Sequence, residues 1–134
     1  MQLEFLFDEK IKFLSLLDIG AVPEGSRVNL PFAGEIMGPH LNGKVEGINY
    51  VLLRSDDVGV VHVHGIVTAT SGDLISIEVR GLSTTGTDGH QAVKGTITYQ
   101  TGSKEFAWLN STLGIVDGIT DLGKMEMNAK LYKH

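Results

Sequence analysis

Apolar and polar side chains alternate with period two along most of the chain, and most sharply between Val58 and Arg80. Successive side chains of a strand point to opposite faces. Val61, Val63 and Val67 therefore share one face, and Val60, His62, His64, Ile66 and Thr68 share the other. The loop Thr70-Ser71-Gly72 fits a type I turn closed by a left-handed glycine. Beyond it, Ile75, Ile77 and Val79 alternate with Leu74, Ser76, Glu78 and Arg80. Such a loop pairs Ala69 with Asp73, which sets His64 opposite Glu78 and His62 opposite Arg80. In this register the apolar faces of both strands coincide, whereas a one-residue slip would mix them.

The same alternation predicts most of the remaining elements. Leu3, Phe5 and Phe7 mark a first strand; Ile11 to Gly20 fits a short helix or a continued strand, ended by Gly20. Ala21 to Ser26 is turn chemistry built on Pro23 and Gly25. Val28, Leu30 and Phe32 share a face of the next strand, where Pro31, lacking a donor, marks an edge or bulge. Gly34 to Gly43 is expected as turns around a short extended piece. A strand lies within Val45–Ser55, and Asp56 and Asp57 turn it into the hairpin. The glycine- and threonine-rich run from Gly81 to Gly95 is expected as a long loop, a functional flap or a mobile segment. Strands follow at Thr96–Thr101, at Glu105–Asn110 with Phe106, Trp108 and Asn110 on one face, at Leu113–Asp121, and at Lys124–Tyr132. Eight or nine strands without a long helix must close on themselves or form a sandwich.

Composition narrows the function classes. A length of 134 residues suits one domain over 1–134, and 17 glycines between short apolar runs suit an all-β chain with many turns. A net charge of −5 without a basic block gives no support for nucleic-acid binding. The absence of cysteine excludes disulfides and thiolate chemistry. No apolar run approaches the roughly 20 residues of a membrane-spanning helix, and the N-terminus carries acids where a signal peptide has bases. No membrane association and a cytoplasmic location are the expectation.

Gly20, Pro23, Gly25, Arg27, Pro31, Gly34, Gly38, Pro39, Leu41 and Gly43, together with a threonine-containing strand leading to Trp108-Leu109-Asn110, give the chain a resemblance to a known family. It resembles domain-of-unknown-function family 3237, also called uncharacterised protein family 0311, over nearly its whole length. The resemblance implies a single antiparallel β-barrel similar to the allene oxide cyclase and dirigent barrels. Those relatives bind apolar small molecules in the lumen, several guide cyclisations without a cofactor, and such barrels commonly form homo-oligomers. Two pairs of positions depart from the family's pattern. Asn49 and Tyr50 stand where an aspartate and an aromatic are frequent, and His62 and His64 align with an acid and an arginine.

Three functions compete. In a cofactor-free cyclase, isomerase or lyase acting on a small apolar or weakly anionic metabolite, His62 or His64 is the acid–base group. Glu78 then orients it, Arg54 or Arg80 holds an anionic oxygen, and Tyr50, Trp108 and Asn110 line the pocket. Arg27 is a further binding candidate, with an ion pair to Glu24 as its structural alternative; for Trp108 the alternative is a core aromatic. A non-catalytic ligand-binding or structural oligomeric barrel is the second class. The third is a cupin-like metal site at His62 and His64, which Glu78 would complete. Thr68 and Ala69 stand where cupins place a glutamate, so no metal and no cofactor are expected. Alternation alone leaves open whether the His62/His64 face turns to the lumen or to solvent.

Overall fold

Nine antiparallel strands run through the computed structural model, which describes all 134 residues. They are β1 (Glu4–Phe13), β2 (Leu17–Val22), β3 (Gly25–Met37), β4 (Gly43–Leu53), β5 (Gly59–Ala69), β6 (Leu74–Thr85), β7 (Gln91–Gln100), β8 (Leu113–Asp121) and β9 (Glu126–Lys133). Each of β3 to β9 pairs with its predecessor and successor in the chain, except that β9 passes on to β1. Pairing of β1 with β3, from Asp8–Met37 to Phe13–Phe32, closes an eight-stranded barrel. Closure removes the exposed edges that an open sheet would leave.

β2 is the extra strand. The segment that reads as helix or continued strand is a strand with a break at Leu14–Leu16, beyond which β2 pairs with the first half of β3. It passes through Gly20 to Val22, with a register shift between Asp18 and Gly20 in place of an end. Pro31 lies opposite this break and accepts a bond from the Leu14 amide (2.8 Å). A strand residue's N–H and C=O point to the same side, so its missing donor faces the gap, where no ladder partner is required.

The inward faces carry the core. One cluster of 24 buried apolar residues fills the barrel, including Phe7, Ile11, Phe32, Val67, Ile75, Ile97 and Leu131. At the first strand the simple alternation fails: a shift between Phe5 and Phe7 buries both Leu6 and Phe7 and leaves Phe5 at the surface. Inward glycines mark where neighbouring strands approach most closely. Gly81 faces Gly95 across β6–β7, and a Cβ on Gly81 would collide with the Lys94 carbonyl oxygen.

Two expected loops are strands. Gly34–Met37 belongs to β3, and the turn that follows is tied by the Asn42 side chain, which accepts from the Gly38 amide (3.1 Å) and donates to the Gly38 carbonyl (2.8 Å). The Gly81–Gly95 run holds the end of β6, a tight turn from Gly86 to His90 and the start of β7. Conversely, the expected strand through Trp108 is a 3₁₀ turn, Ala107–Ser111. Leu109 within it and Phe106 just before it, three apart, are buried, the spacing at which a 3₁₀ turn aligns side chains. With Leu41 they plug the barrel end opposite its open mouth.

Candidate functional site

The central hairpin has the expected register: His64 opposes Glu78, and His62 opposes Arg80. Its turn closes through the Gly72 amide on the Ala69 carbonyl (2.8 Å), with Gly72 at φ 90. The polar residues converge. His62 Nε2 lies 3.8 Å from Glu78 Oε1, His64 Nε2 lies 3.9 Å from Glu78 Oε2, and Arg80 Nε donates to Glu78 Oε1 at 2.8 Å. The two imidazole centroids are 4.7 Å apart.

This face turns outward. Val61, Val63, Ile75 and Ile77 fill the barrel, and His62 and His64 keep 32% and 55% of their side-chain surface exposed. They therefore do not border the lumen. The carboxylate also loses the contest over His62. Burial lowers the His62 pKa first, then the charges of Arg80 and His64; Glu78 raises it less, and Arg27 lowers it further. Glu78 is itself held below the usual carboxylate range, chiefly by its hydrogen bond from Arg80.

The other candidates disperse. Arg27 and Tyr50 join His62 and Arg80 along an outer groove of about 270 Å³. Arg54 sits in the turn after β4, its Nε donating to Asp56 Oδ1 at 3.0 Å. Asn110 is structural: its side chain accepts from the Thr101 amide (2.8 Å) and donates to the Thr101 carbonyl (3.0 Å). Trp108 lies at the plugged end, 6.5 Å centroid to centroid from His40, with Lys133 Nζ over its ring. Neither Trp108 nor Asn110 lines the barrel mouth.

The lumen opens at the other end into a cavity of about 400 Å³. Its walls are mainly apolar: Phe13, Val28, Leu30, Val51, Val61 and Val93 among them. Its polar residues are Asn49, Asp57, Ser83, Thr85, Gln91 and Thr120. Gln91 donates its amide N–H to the Gly89 carbonyl at 3.4 Å, while its side-chain oxygen is buried without a partner. The Asn49 side-chain oxygen is likewise buried and unpartnered. Asp57, at the tip of the β4–β5 turn, adopts φ 65, a conformation few non-glycine residues take. Asn49, a departure from the family's pattern, lines the mouth, whereas its neighbour Tyr50, the expected pocket residue, faces out. Gln91 fell in the expected loop. His90 lies at the same end, 3.6 Å from Asp88 and 3.4 Å from Asp121.

Metal-binding capacity is concentrated on the outer face. His62, His64 and Glu78 bring one ligand atom each within 4.8 Å of one another. The Arg80 guanidinium already engages the carboxylate, and its charge opposes a dication there.

Comparison with known proteins agrees with this architecture. A sequence model of a protein family of unknown function, DUF3237, matches residues 1–132. A Clostridium acetobutylicum protein of unknown function superposes with a TM-score of 0.90 at 22% identity, covering 100% of this chain and 99% of its own. A β-barrel-like protein from Acinetobacter baumannii gives 0.89 at 20% identity, with 98% and 94% covered. An enzyme from Penicillium herquei gives 0.78 at 16% identity, with 99% and 94% covered. These likenesses establish the fold. No curated protein matches the chain in sequence.

Proposed function

The chain belongs to the DUF3237 family, whose members have no established common function, and on that premise we propose that its barrel mouth binds a small, mostly apolar molecule bearing hydrogen-bond donors. The observation that carries this reading is the pair of unpartnered side-chain oxygens of Asn49 and Gln91 in an apolar cavity of about 400 Å³. A buried polar atom without a partner costs about 1–3 kcal/mol. A ligand hydroxyl or N–H that satisfies it recovers that cost, and the apolar wall supplies the rest of the affinity. A mostly apolar cavity with a few convergent polar groups is the usual form of a small-molecule site. The same groups suit cofactor-free chemistry of a modest kind. Neutral amides orient a phenol or enol, and Asp57 at the rim is the carboxylate placed to accept a proton.

Thermal denaturation with 1-naphthol and with 1-methoxynaphthalene tests the donor requirement. Only 1-naphthol donates a hydrogen bond, so it should raise Tm more, and Asn49→Leu should remove most of the difference. Equal shifts by both compounds in the parent protein, or no shift by either, would sink the proposal. Incubation with hydroxylated enones, followed by mass and chromatographic analysis, separates binding from conversion.

We also propose a homo-oligomer. Ile66 and Leu74 stand 45% and 60% exposed on the outer face of β5 and β6. Light scattering at micromolar concentration gives the assembly state. No helix is long and apolar enough to cross a membrane.

A further inference from the structure

We propose that the outer groove across β3 to β6 is a second ligand site, separate from the barrel mouth, that takes a small organic carboxylate. Strand alternation assembles it: Arg27 of β3, Tyr50 and Leu52 of β4, Val60 and His62 of β5, and Arg80 of β6 all point outward and line one groove of about 270 Å³. A water molecule occupies about 30 Å³ of liquid, so the space suits an anion of about ten non-hydrogen atoms.

The polar lining is almost entirely donor. The Arg27 side chain has neither a hydrogen bond nor an ion pair within the protein, and the lining itself holds no carboxylate, Glu78 meeting it only through Arg80 and His62. Arg80 commits only its Nε to Glu78, at 2.8 Å, which leaves its terminal nitrogens free. His62 Nε2 is buried without a hydrogen-bond partner, 3.8 Å from Glu78 Oε1, and the Tyr50 ring centroid lies 6.4 Å from that of His62. One unpaired guanidinium, Arg27, and the free end of a second, Arg80, line the same groove in a chain of net charge −5. Planar forks match carboxylate oxygens in two-point contacts. Leu52 and Val60 add an apolar wall for the body of the acid, which free phosphate could not use. The same two guanidiniums work against a dication at His62.

His62 tunes the site. Arg27, Arg80, His64, Glu78 and the Tyr50 phenol are the titratable and charged groups around it. Burial and the neighbouring positive charges favour its neutral form. A bound carboxylate favours the imidazolium, so binding strengthens as pH falls from 7.5 to 5.5.

Titration calorimetry with sodium benzoate and with benzamide, an uncharged mimic of the same shape, tests the assignment. Benzoate should bind, and benzamide should bind at least tenfold more weakly, on the order of the loss of one charge-assisted hydrogen bond. Arg27→Gln, at a side chain with no structural partner, should weaken benzoate about tenfold. Asn49→Leu in the barrel mouth should leave benzoate binding unchanged. The His62 imidazole resonance should titrate at higher pH with benzoate bound. Equal binding of benzamide, an unaltered Kd in Arg27→Gln, or loss of benzoate binding in Asn49→Leu would each overturn the proposal. So would saturable zinc binding lost in His62→Ala, with benzoate unbound.

Discussion

The barrel mouth and the outer groove are built from the same strands, and their polar groups differ in kind. Asn49 and Tyr50 are adjacent in β4, yet Asn49 enters the mouth and Tyr50 the groove. The polar side chains of the mouth are mainly amides and hydroxyls, with Asp57 at the rim; those of the groove include two guanidiniums. Burial accounts for the difference. Taking an ion out of water costs several kcal/mol even after relaxation, whereas a half-exposed guanidinium keeps part of its hydration. The mouth is therefore suited to discriminate by shape and donor geometry, and the groove by charge.

The largest expected effect tests how far inside and outside differ. Ile77, fully enclosed in β6, and Ser76, its exposed neighbour, should respond very differently to truncation. Ile77→Ala should cost about 2–5 kcal/mol through lost burial and a cavity, and Ser76→Ala should stay within about 0.5 kcal/mol. Comparable urea midpoints for the two variants would break the comparison.

Glu9 sharpens it. This carboxyl points into the barrel between Ala129 and Ile36, and burial pushes its pKa to about 7, with Tyr99 held above its ordinary range by its own burial and by Glu9. Its value is raised on folding, so the folded state holds a proton that the unfolded chain releases. Stability is then highest below about pH 4.5 and falls as pH rises toward 7, by about 3 kcal/mol in total. Glu9→Gln should flatten that slope and leave the protein more stable at pH 8 than the parent. Urea unfolding at pH 5 and pH 8 measures both; parallel curves in parent and variant would mean that Glu9 carries no proton of its own into the fold.

How legible these features are in the sequence depends on whether period two decides them. The hairpin register is legible because only one pairing superposes the apolar faces, and barrel closure because no helix stands by to cover a sheet. Which face of the hairpin turns inward is not. Val60, Ile66 and Leu74 make the outer face partly apolar too, so alternation offers no sign. Asn49 resembles a surface residue by type, and its place is set by Val45 and Val51 on the same inward row. The end of β6 and the start of β7 are masked because Ser83, Thr85 and Gln91 line an open mouth with residues that elsewhere signal a loop. The alternation of Phe106, Trp108 and Asn110 spans too few residues to separate strand from 3₁₀ turn.

The smallest expected effect lies on the outer face, at Glu78. Its carboxylate is exposed, and of the charges around His62 it is the one that favours the imidazolium. Glu78→Gln removes that support while burial, Arg80, His64 and Arg27 continue to disfavour the charge, so the His62 pKa should fall further. A histidine whose folded-state pKa lies below its unfolded value contributes stability that is complete above about 6.5 and is lost as pH falls through the folded value. The variant should therefore extend that window to lower pH. It also releases Arg80 from its 2.8 Å bond, which leaves the groove more positive and should tighten benzoate, opposite to the effect of Arg27→Gln. Proton resonances of His62 across pH 4.5–8 follow the first effect, and calorimetry the second. A His62 midpoint that rises in Glu78→Gln would show that the carboxylate does not act on the imidazole, and the charge-based account of the outer face would fail while the barrel mouth stands untouched.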